Sequence, residues 1–469
     1  MQSWIAEQRA ERYAAAVVVA WVLINYAWTG GTGFINDDYI WIYGARPPAG
    51  GAWWRAALVA PAWSVFFVRP IVQLSFFVNG FFGRSNPVGY HLVSLALHTL
   101  NSYLVWRLGT FLLGGIVPGL LTAVLFATHP AHPDAVTWIA GRTELIAGAF
   151  YLGAVLLHLR ARRVLAAVLF ACALLSKESA ASFPLIAVAL DLLVAMRWQW
   201  RASGAYAAVL AAYLLFRAWA TRQFATGFVL WSFIPRRDFV GLIGWLAHQG
   251  VQAAGQLLAV LPTSPRVSAV VLALCVPACL WATRRDAVHR IMLLAATWTV
   301  VTLLPYVGLF TFQARYIYLP SVGLALLVAA GAASAWKSGA AGRWMRPAVA
   351  VGLAGWVIAS VVALQAQNLR LARNGAMSTR VIEAAAAAVP HPAPATVFVL
   401  TGLNRLRLVG DASIRGPVLL FGLTEALRLH FDDTTLDATC PDMPGNPPLS
   451  RLRPTINLQW NDQTRTFER

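Results

Sequence analysis

GRTELIAGAFYLGAVLLHLRARRVLAAVLFACALLSKE, residues 141–178, decides the fold class. It contains two apolar runs, about 141–159 and 164–176, joined by a short turn that holds Arg160, Arg162 and Arg163. With its flanks, each run is long enough to approach the ~30 Å hydrocarbon core of a bilayer. The far ends differ from the turn. One begins with Arg142 and Glu144, and the other closes with Lys177 and Glu178. This is a membrane hairpin with purely basic charge on one side and charge of both signs on the other.

The same pattern extends along the 469-residue chain. Apolar runs fall at about 13–30, 88–108, 114–128, 141–159, 164–176, 183–196, 204–219, 267–283, 291–309, 316–335 and 347–366. Hydrophobic residues make up 58% and charged residues 12% of the chain, and mean hydropathy is +0.61. A soluble protein could not hide that much apolar surface, whereas a bilayer accepts it. The first run follows Glu7 and Glu11 and has no small-residue cleavage signal after it, so it reads as a span and not as a removed leader.

Orientation follows from the arginines. With the N-terminus inside, the inside segments hold Arg9 and Arg12, Arg107, the Arg160–Arg163 turn, Arg197 and Arg201, then Arg284, Arg285 and Arg290, and finally Lys337, Arg343 and Arg346. Every inside segment is then basic, as the positive-inside rule requires. The formal charge of +18 is therefore read as topology and attraction to anionic lipid, with no nucleic-acid partner. Residues 239–261 are also long enough to cross. Gln249, Gln252 and Gln256 give them a polar face, and the reading preferred is a re-entrant or interfacial helix. The four cysteines give no disulfide framework. Arg and Ala richness suggests a GC-rich, bacterial genome.

The expected fold is an all-α polytopic membrane protein of about eleven transmembrane helices with a small extracytoplasmic α/β C-terminal domain. The membrane domain is placed at 1–367, with membrane-surface helices in a first outer loop, 31–87. The C-terminal domain is placed at 368–469, from strand-like ATVFVLTGL and GPVLLFGL and helix-like TEALRLHF. Its end, rich in Pro, Asn and Asp, reads as loosely ordered.

Chemistry-bearing residues gather at the outer ends of the spans. Asp37 and Asp38 follow span one in FINDDY. Two adjacent carboxylates are costly to keep ionised together unless a reaction or a cation uses them. One could serve as general base towards a hydroxyl, and the other could orient it or help to hold a divalent metal; the sequence leaves the metal open. His129, His132, Asp134, Arg142 and Glu144 crowd into HPAHPDAVTWIAGRTEL, residues 129–145. The two histidines flank prolines in a turn, where a structural role is the plainer reading. Arg142 opens an apolar span, and an ionisable residue there is a functional suspect, with Glu144 as its candidate partner. Lys177 and Glu178 end span five. In a chain with only two lysines, a compact ammonium at the membrane suits a phosphate, although an ion pair with Glu178 explains it equally. Arg315 stands among Tyr316 and Tyr318. Arg69, Tyr90 and His91 complete the outer inventory. Together they suit a substrate with a lipid tail, an anionic phosphate and a polar head, gripped by Arg and Lys and attacked by a hydroxyl that an Asp activates.

These segments resemble a known family. Asn36–Tyr39, Arg69–Gln73, Gly89–His98, His129–Ala147, Ser176–Glu178 and Arg315–Gly323 are similar, in order and wording, to the membrane half of the O-mannosyltransferases that carry transmembrane spans and tetratricopeptide repeats. More broadly they resemble the protein O-mannosyltransferase branch of the type C glycosyltransferases. The resemblance implies an inverting hexosyltransferase that uses a polyprenyl-phosphate-linked sugar, mannose or similar; the composition places it in a bacterial inner (plasma) membrane. It implies Asp37 as catalytic base, with Asp38 as its close alternative. It also implies Arg142, Lys177 and Arg315 on the lipid phosphate. From the outer inventory, Arg69 joins them as a phosphate ligand, and His91, His129, His132, Glu144 and Glu178 are candidates for orienting or acceptor roles. The partners would be the donor, membrane lipid and a hydroxyl acceptor: protein Ser/Thr, glycan or lipid. Ala314 stands where the family usually has an acid, and a short tail replaces the repeats. Those departures put metal use and acceptor choice in doubt. A polyprenyl-lipid flippase and a non-catalytic membrane scaffold are the competing readings.

Overall fold

The computed structural model describes residues 2–46, 67–81, 83–221, 239–261, 263–284, 286, 288–306, 312–337, 342–406, 418–419, 421–442 and 454–468. Much of the first outer loop (47–66), Arg285 and part of GPVLLFGL lie outside them.

Over the described residues, each apolar run is largely helical. In order these are α1 (Gln2–Tyr26), α2 (Asp37–Gly44), α3 (Pro70–Gly80), α4 (Pro87–Leu113), α5 (Ile116–Ala127), α6 (Pro133–Val136), α7 (Arg142–Leu159), α8 (Arg163–Leu174), α9 (Phe183–Leu193), α10 (Trp200–Thr221), α11 (Phe239–Leu257), α12 (Pro265–Ala282), α13 (His289–Leu303), α14 (Pro320–Lys337), α15 (Gly342–Ala388) and α16 (Leu423–Phe431). Six helical stretches among the described residues are long and apolar enough to cross a membrane: Gln8–Gly31, Ile139–Leu159, Trp200–Thr221, Pro265–Ala282, Pro320–Lys337 and Trp344–Ala388. The protein is a helical integral membrane protein. Exposed Trp200 and Trp219 sit near the two ends of α10, Trp281 near the end of α12 and Trp344 near the start of α15. Indole is favoured there, between lipid tails and headgroups.

The chain divides into two compact units. The first comprises Met1–Ala27, Ser94–Val136 and Gly141–Gln367. Its core is aromatic. Phe183 stacks on Phe170 and meets Tyr151 and Tyr206 edge-on, and Trp298 meets Tyr151. Several polar tips find carbonyl partners inside the unit, as lipid surroundings favour. The Trp298 indole donates to the Leu319 carbonyl at 2.9 Å, and Thr122, Thr128 and Ser176 donate to carbonyls one turn back.

The second unit comprises Trp28–Val93, Thr137–Ala140 and Asn368–Arg469. Trp41 stacks on Phe76 at 5.4 Å and Phe34 meets Tyr90 edge-on. The tail forms a four-stranded sheet of order β2-β1-β3-β4, with β1 (Val397–Thr401), β2 (Asp437–Thr439), β3 (Thr455–Asn461) and β4 (Thr466–Glu468). β1 pairs in parallel with both β2 and β3, and β4 closes on β3 antiparallel. Residues 455–468, expected to be loose, are thus ordered by ladder hydrogen bonds and by Leu458, Trp460 and Phe467, which are buried. α15 also outruns its apolar stretch: the helix continues through 367–388, where Leu371, Val381, Ile382 and Ala385 supply a buried stripe at helical spacing.

Candidate functional site

In the second unit, Asp37 and Asp38 open α2. A helix N-terminus favours carboxylates there. Their surroundings differ. The Ile35 amide donates to Asp38 Oδ2 at 2.8 Å, and the Ala140 amide donates to Oδ1 at 2.6 Å. Asp38 is only 1% exposed, so it ties the turn before α2 to the Thr137–Ala140 segment. Trp138 adds a bond to the Ile35 carbonyl at 3.3 Å, and Thr137 donates to Asn368 Oδ1 at 2.7 Å. Asp37 is half-buried. The turn itself is strained: Asn36 has φ 44° and ψ −107°, a backbone region that a residue with a Cβ holds only when its surroundings impose it.

The tail helps to impose it. Gly422, at φ +82°, caps the start of α16, and a Cβ there would lie 2.5 Å from the Asn36 carbonyl oxygen. Further along, the Arg428 guanidinium lies over the Tyr43 ring and Arg46 pairs with Asp432 at 2.7 Å. Tyr39 is buried beside Asp38, and its pKa is raised, first by burial and then by the Asp38 and Glu383 charges. His91 Nε2 lies 2.8 Å from the Thr32 carbonyl, so that nitrogen carries the proton and the ring holds the turn. Arg69 caps α3 with its guanidinium over Phe67.

In the first unit a separate charged cluster is built on α7. Gly141 precedes it because the chain passes close to its own hairpin: a Cβ there would lie 2.2 Å from the Asp134 carbonyl oxygen. Arg142 follows and is fully buried. Two residues on, Glu144 takes a hydrogen bond from the Lys177 ammonium on one oxygen and from the Tyr306 hydroxyl, at 3.1 Å, on the other. Tyr306 and Tyr316 stack at 4.4 Å, and the Lys177 ammonium lies 5.4 and 5.2 Å from their ring centres. Half-buried Arg315 lies over the other part of this box, 5.5 Å from the Tyr316 ring. Lys177, Glu144, Arg315 and Tyr316 therefore meet, and Lys177 pairs with Glu144. Glu178 starts the next turn, half-buried. Tyr306 was not foreseen; an aromatic at the end of an apolar run gives no chemical signal.

The hairpin histidines are occupied by the fold. His129 Nε2 faces the Leu257 carbonyl at 3.0 Å and its Nδ1 accepts the Ala131 amide, so the ring is neutral with both nitrogens used. Burial draws its pKa down to about 4. His132 donates to Ser321, whose hydroxyl in turn donates to the Tyr318 carbonyl. Its pKa is also lowered, first by burial and then by the neighbouring His129 and His98. Among the described residues, no three His, Cys, Asp or Glu side chains converge as a metal-ligand set.

No protein-family model matches the chain. Curated relatives are Protein O-mannosyl-transferase Tmtc1 of Drosophila melanogaster, 35% identical over 196 residues (38% of this chain, 22% of the relative), and Tmtc2 of the same species, 34% over 149 residues (30% and 16%). Protein O-mannosyl-transferase F38B6.6 of Caenorhabditis elegans is 32% identical over 130 residues (27% and 19%). The chain is thus similar to the O-mannosyltransferases its motifs resemble, and it spans 16–22% of the length of these three. Among solved structures, ArnT from Cupriavidus metallidurans bound to undecaprenyl phosphate aligns with a TM-score of 0.49 at 12% identity, over 93% of this chain and 86% of that one.

Proposed function

We propose that the protein is an integral-membrane glycosyltransferase. It moves a hexose, mannose or similar, from a polyprenyl-phosphate donor to a hydroxyl acceptor on the extracytoplasmic side, with inversion, and its N-terminus is cytoplasmic in a bacterial inner membrane. The observation that carries this reading is the division within the acid pair. Asp38 is buried with both oxygens on backbone amides, a holding role, and half-buried Asp37 beside it at the start of α2 is assigned the moving proton. Similarity to the O-mannosyltransferases supports it.

Asp37 takes the acceptor proton as the hydroxyl oxygen attacks the anomeric carbon from the face opposite the phosphate. The sugar–phosphate bond breaks, and the polyprenyl phosphate departs with the electron pair. Arg142, Lys177, Arg315 and Arg69 are assigned to the phosphate, where cations stabilise the charge that grows on the leaving group. Glu144 and Tyr306 hold the Lys177 ammonium in place.

The test compares lipid-linked-sugar turnover in membranes for wild type, Asp37→Asn and Asp38→Asn at equal accumulation. Asp37→Asn is expected to lose about 10²–10⁴-fold in turnover with unchanged thermal stability. Asp38→Asn is expected to lose stability as well, because an amide nitrogen cannot accept one of the two backbone bonds. Wild-type turnover in Asp37→Asn would remove the base, and no turnover by wild type with any donor would favour the flippase and scaffold readings.

A further inference from the structure

The second unit contains a cleft of about 790 Å³. Its walls come from the chain after span one, the far part of α15 and the tail helix α16. Trp28, Phe34, Arg84, Arg380, Glu383 and His430 give it its chemical character, and Tyr39 of the acid-bearing helix α2 also lines it. None of the roles assigned above uses this space. Its volume is that of a small-molecule site.

The charges in it are distinctive. Arg84 is half-buried and Arg380 exposed. Among the described residues neither has an ion-pair partner, whereas Arg46 and Arg107 are both paired. An arginine fork matches phosphate or carboxylate bidentately. Glu383, one turn from Arg380 on α15, is near enough to Tyr39 for its charge to be felt by the phenol. The cleft therefore offers donors for an anion and, near α2, a carboxylate that can accept a hydrogen bond from a hydroxyl. Its walls at α15 and α16 are helix faces, whose main-chain groups are already bonded within the helix. They give an extended polypeptide no strand edge to add to. Trp28 belongs to the end of the first candidate span, Gln8–Gly31, a place where indole favours the headgroup region.

We propose that this cleft binds the hydroxyl acceptor, and that the acceptor carries an anionic group, a phosphate or its equivalent, beside its hydroxyls. Arg84 and Arg380 hold the anion, Glu383 orients a hydroxyl, and Phe34 and Trp28 cover the apolar part. The assignment rests on the transferase reading for the word acceptor, but the site is tested by binding alone. The same chemistry is available from a soluble phosphorylated polyol and from a phosphoglycerol lipid headgroup.

The experiment uses the full chain in phosphatidylcholine nanodiscs. Glycerol 1-phosphate and glycerol are titrated calorimetrically, and phosphatidylglycerol is introduced into the discs and its retention read by native mass spectrometry. Wild type, Arg84→Gln, Arg380→Gln and the remote control Arg290→Gln are compared at matched thermal stability. The expected result is binding of at least one phosphate probe and not of glycerol, weakened tenfold or more by each cleft substitution and unchanged in Arg290→Gln. Binding of glycerol 1-phosphate identifies a soluble source, and binding of phosphatidylglycerol alone identifies a lipid one. The proposal is overturned if neither phosphate probe binds, if glycerol binds equally, or if the cleft variants bind like wild type. A Ser/Thr-rich peptide that binds independently of both arginines also overturns it, in favour of a polypeptide acceptor. Failure of the base assignment would appear only as normal turnover in Asp37→Asn and would leave these binding results standing.

Discussion

His129 and His132 illustrate what burial does to a titratable side chain. Both rings are held neutral by burial; His129 also commits both nitrogens, one as an acceptor that the imidazolium would lose, whereas His132 bonds through Nε2 to Ser321. The folded pKa of His129, about 4, is below the ~6.5 of an unfolded chain. Between those values the unfolded state binds more protons, so stability is fully present above about pH 6.5 and is lost as pH falls towards 4. For His129 alone the loss is about 3 kcal/mol. Thermal unfolding in detergent should show that slope, and His129→Gln should flatten it while lowering the plateau. A slope unchanged in His129→Gln would assign the acid sensitivity elsewhere. The sequence placed both histidines in a turn and weighed a structural role, and it singled out the acid pair. The pattern of residues alone did not separate Asp37 from Asp38, and only the family resemblance put Asp37 first, because the amide that occupies Asp38 belongs to Ala140, more than a hundred positions away.

At the scale of elements, α16 is the piece whose position matters most to α2. Its helical pattern was legible in TEALRLHF, but its docking was not, since nothing local marks Gly422 as a contact for Asn36. A side chain at Gly422 meets two penalties: a left-handed backbone that costs about 1–2 kcal/mol, and a methyl 2.5 Å from a carbonyl oxygen. Gly422→Ala is expected to lower turnover by tenfold or more, chiefly in kcat, while the helical content of the membrane unit is kept. The Arg46–Asp432 pair is a milder probe, because Asp432 is 88% exposed and such pairs are worth under about 1 kcal/mol. Reversing both charges should restore most of what Asp432→Arg alone removes. Full activity in Gly422→Ala would show that α2 does not depend on the tail.

For the whole molecule, hydropathy alone placed the helices, because each apolar run had to satisfy its backbone internally once in lipid. What hydropathy missed is the continuation of α15 beyond Gln367, where LARNGAMSTRVIEAAAAA is helical through an amphipathic stripe. It also missed the cleft, because Arg84, Arg380, Glu383 and His430 come from three distant segments. The orientation derived from the arginines is directly testable. In a cysteine-free background, Arg162→Cys should stay protected from an impermeant maleimide in intact cells, and Asp433→Cys should react. The reverse pattern would invert the topology and move the proposed chemistry to the cytoplasm.

The sheet order also has a consequence in time. β3 lies between β1 and β4, so the tail cannot close its sheet until residues 455–461 have been made. Asp37 is synthesised 424 residues before Asn461 (461 − 37), a delay of roughly 20–85 s at ordinary translation rates. Throughout that interval the acid-bearing turn has emerged without the strained conformation that the finished tail helps to impose. A ribosome that stops before Thr455 therefore releases a chain with both carboxylates and helices α1 to α16 but without the closed sheet of the tail.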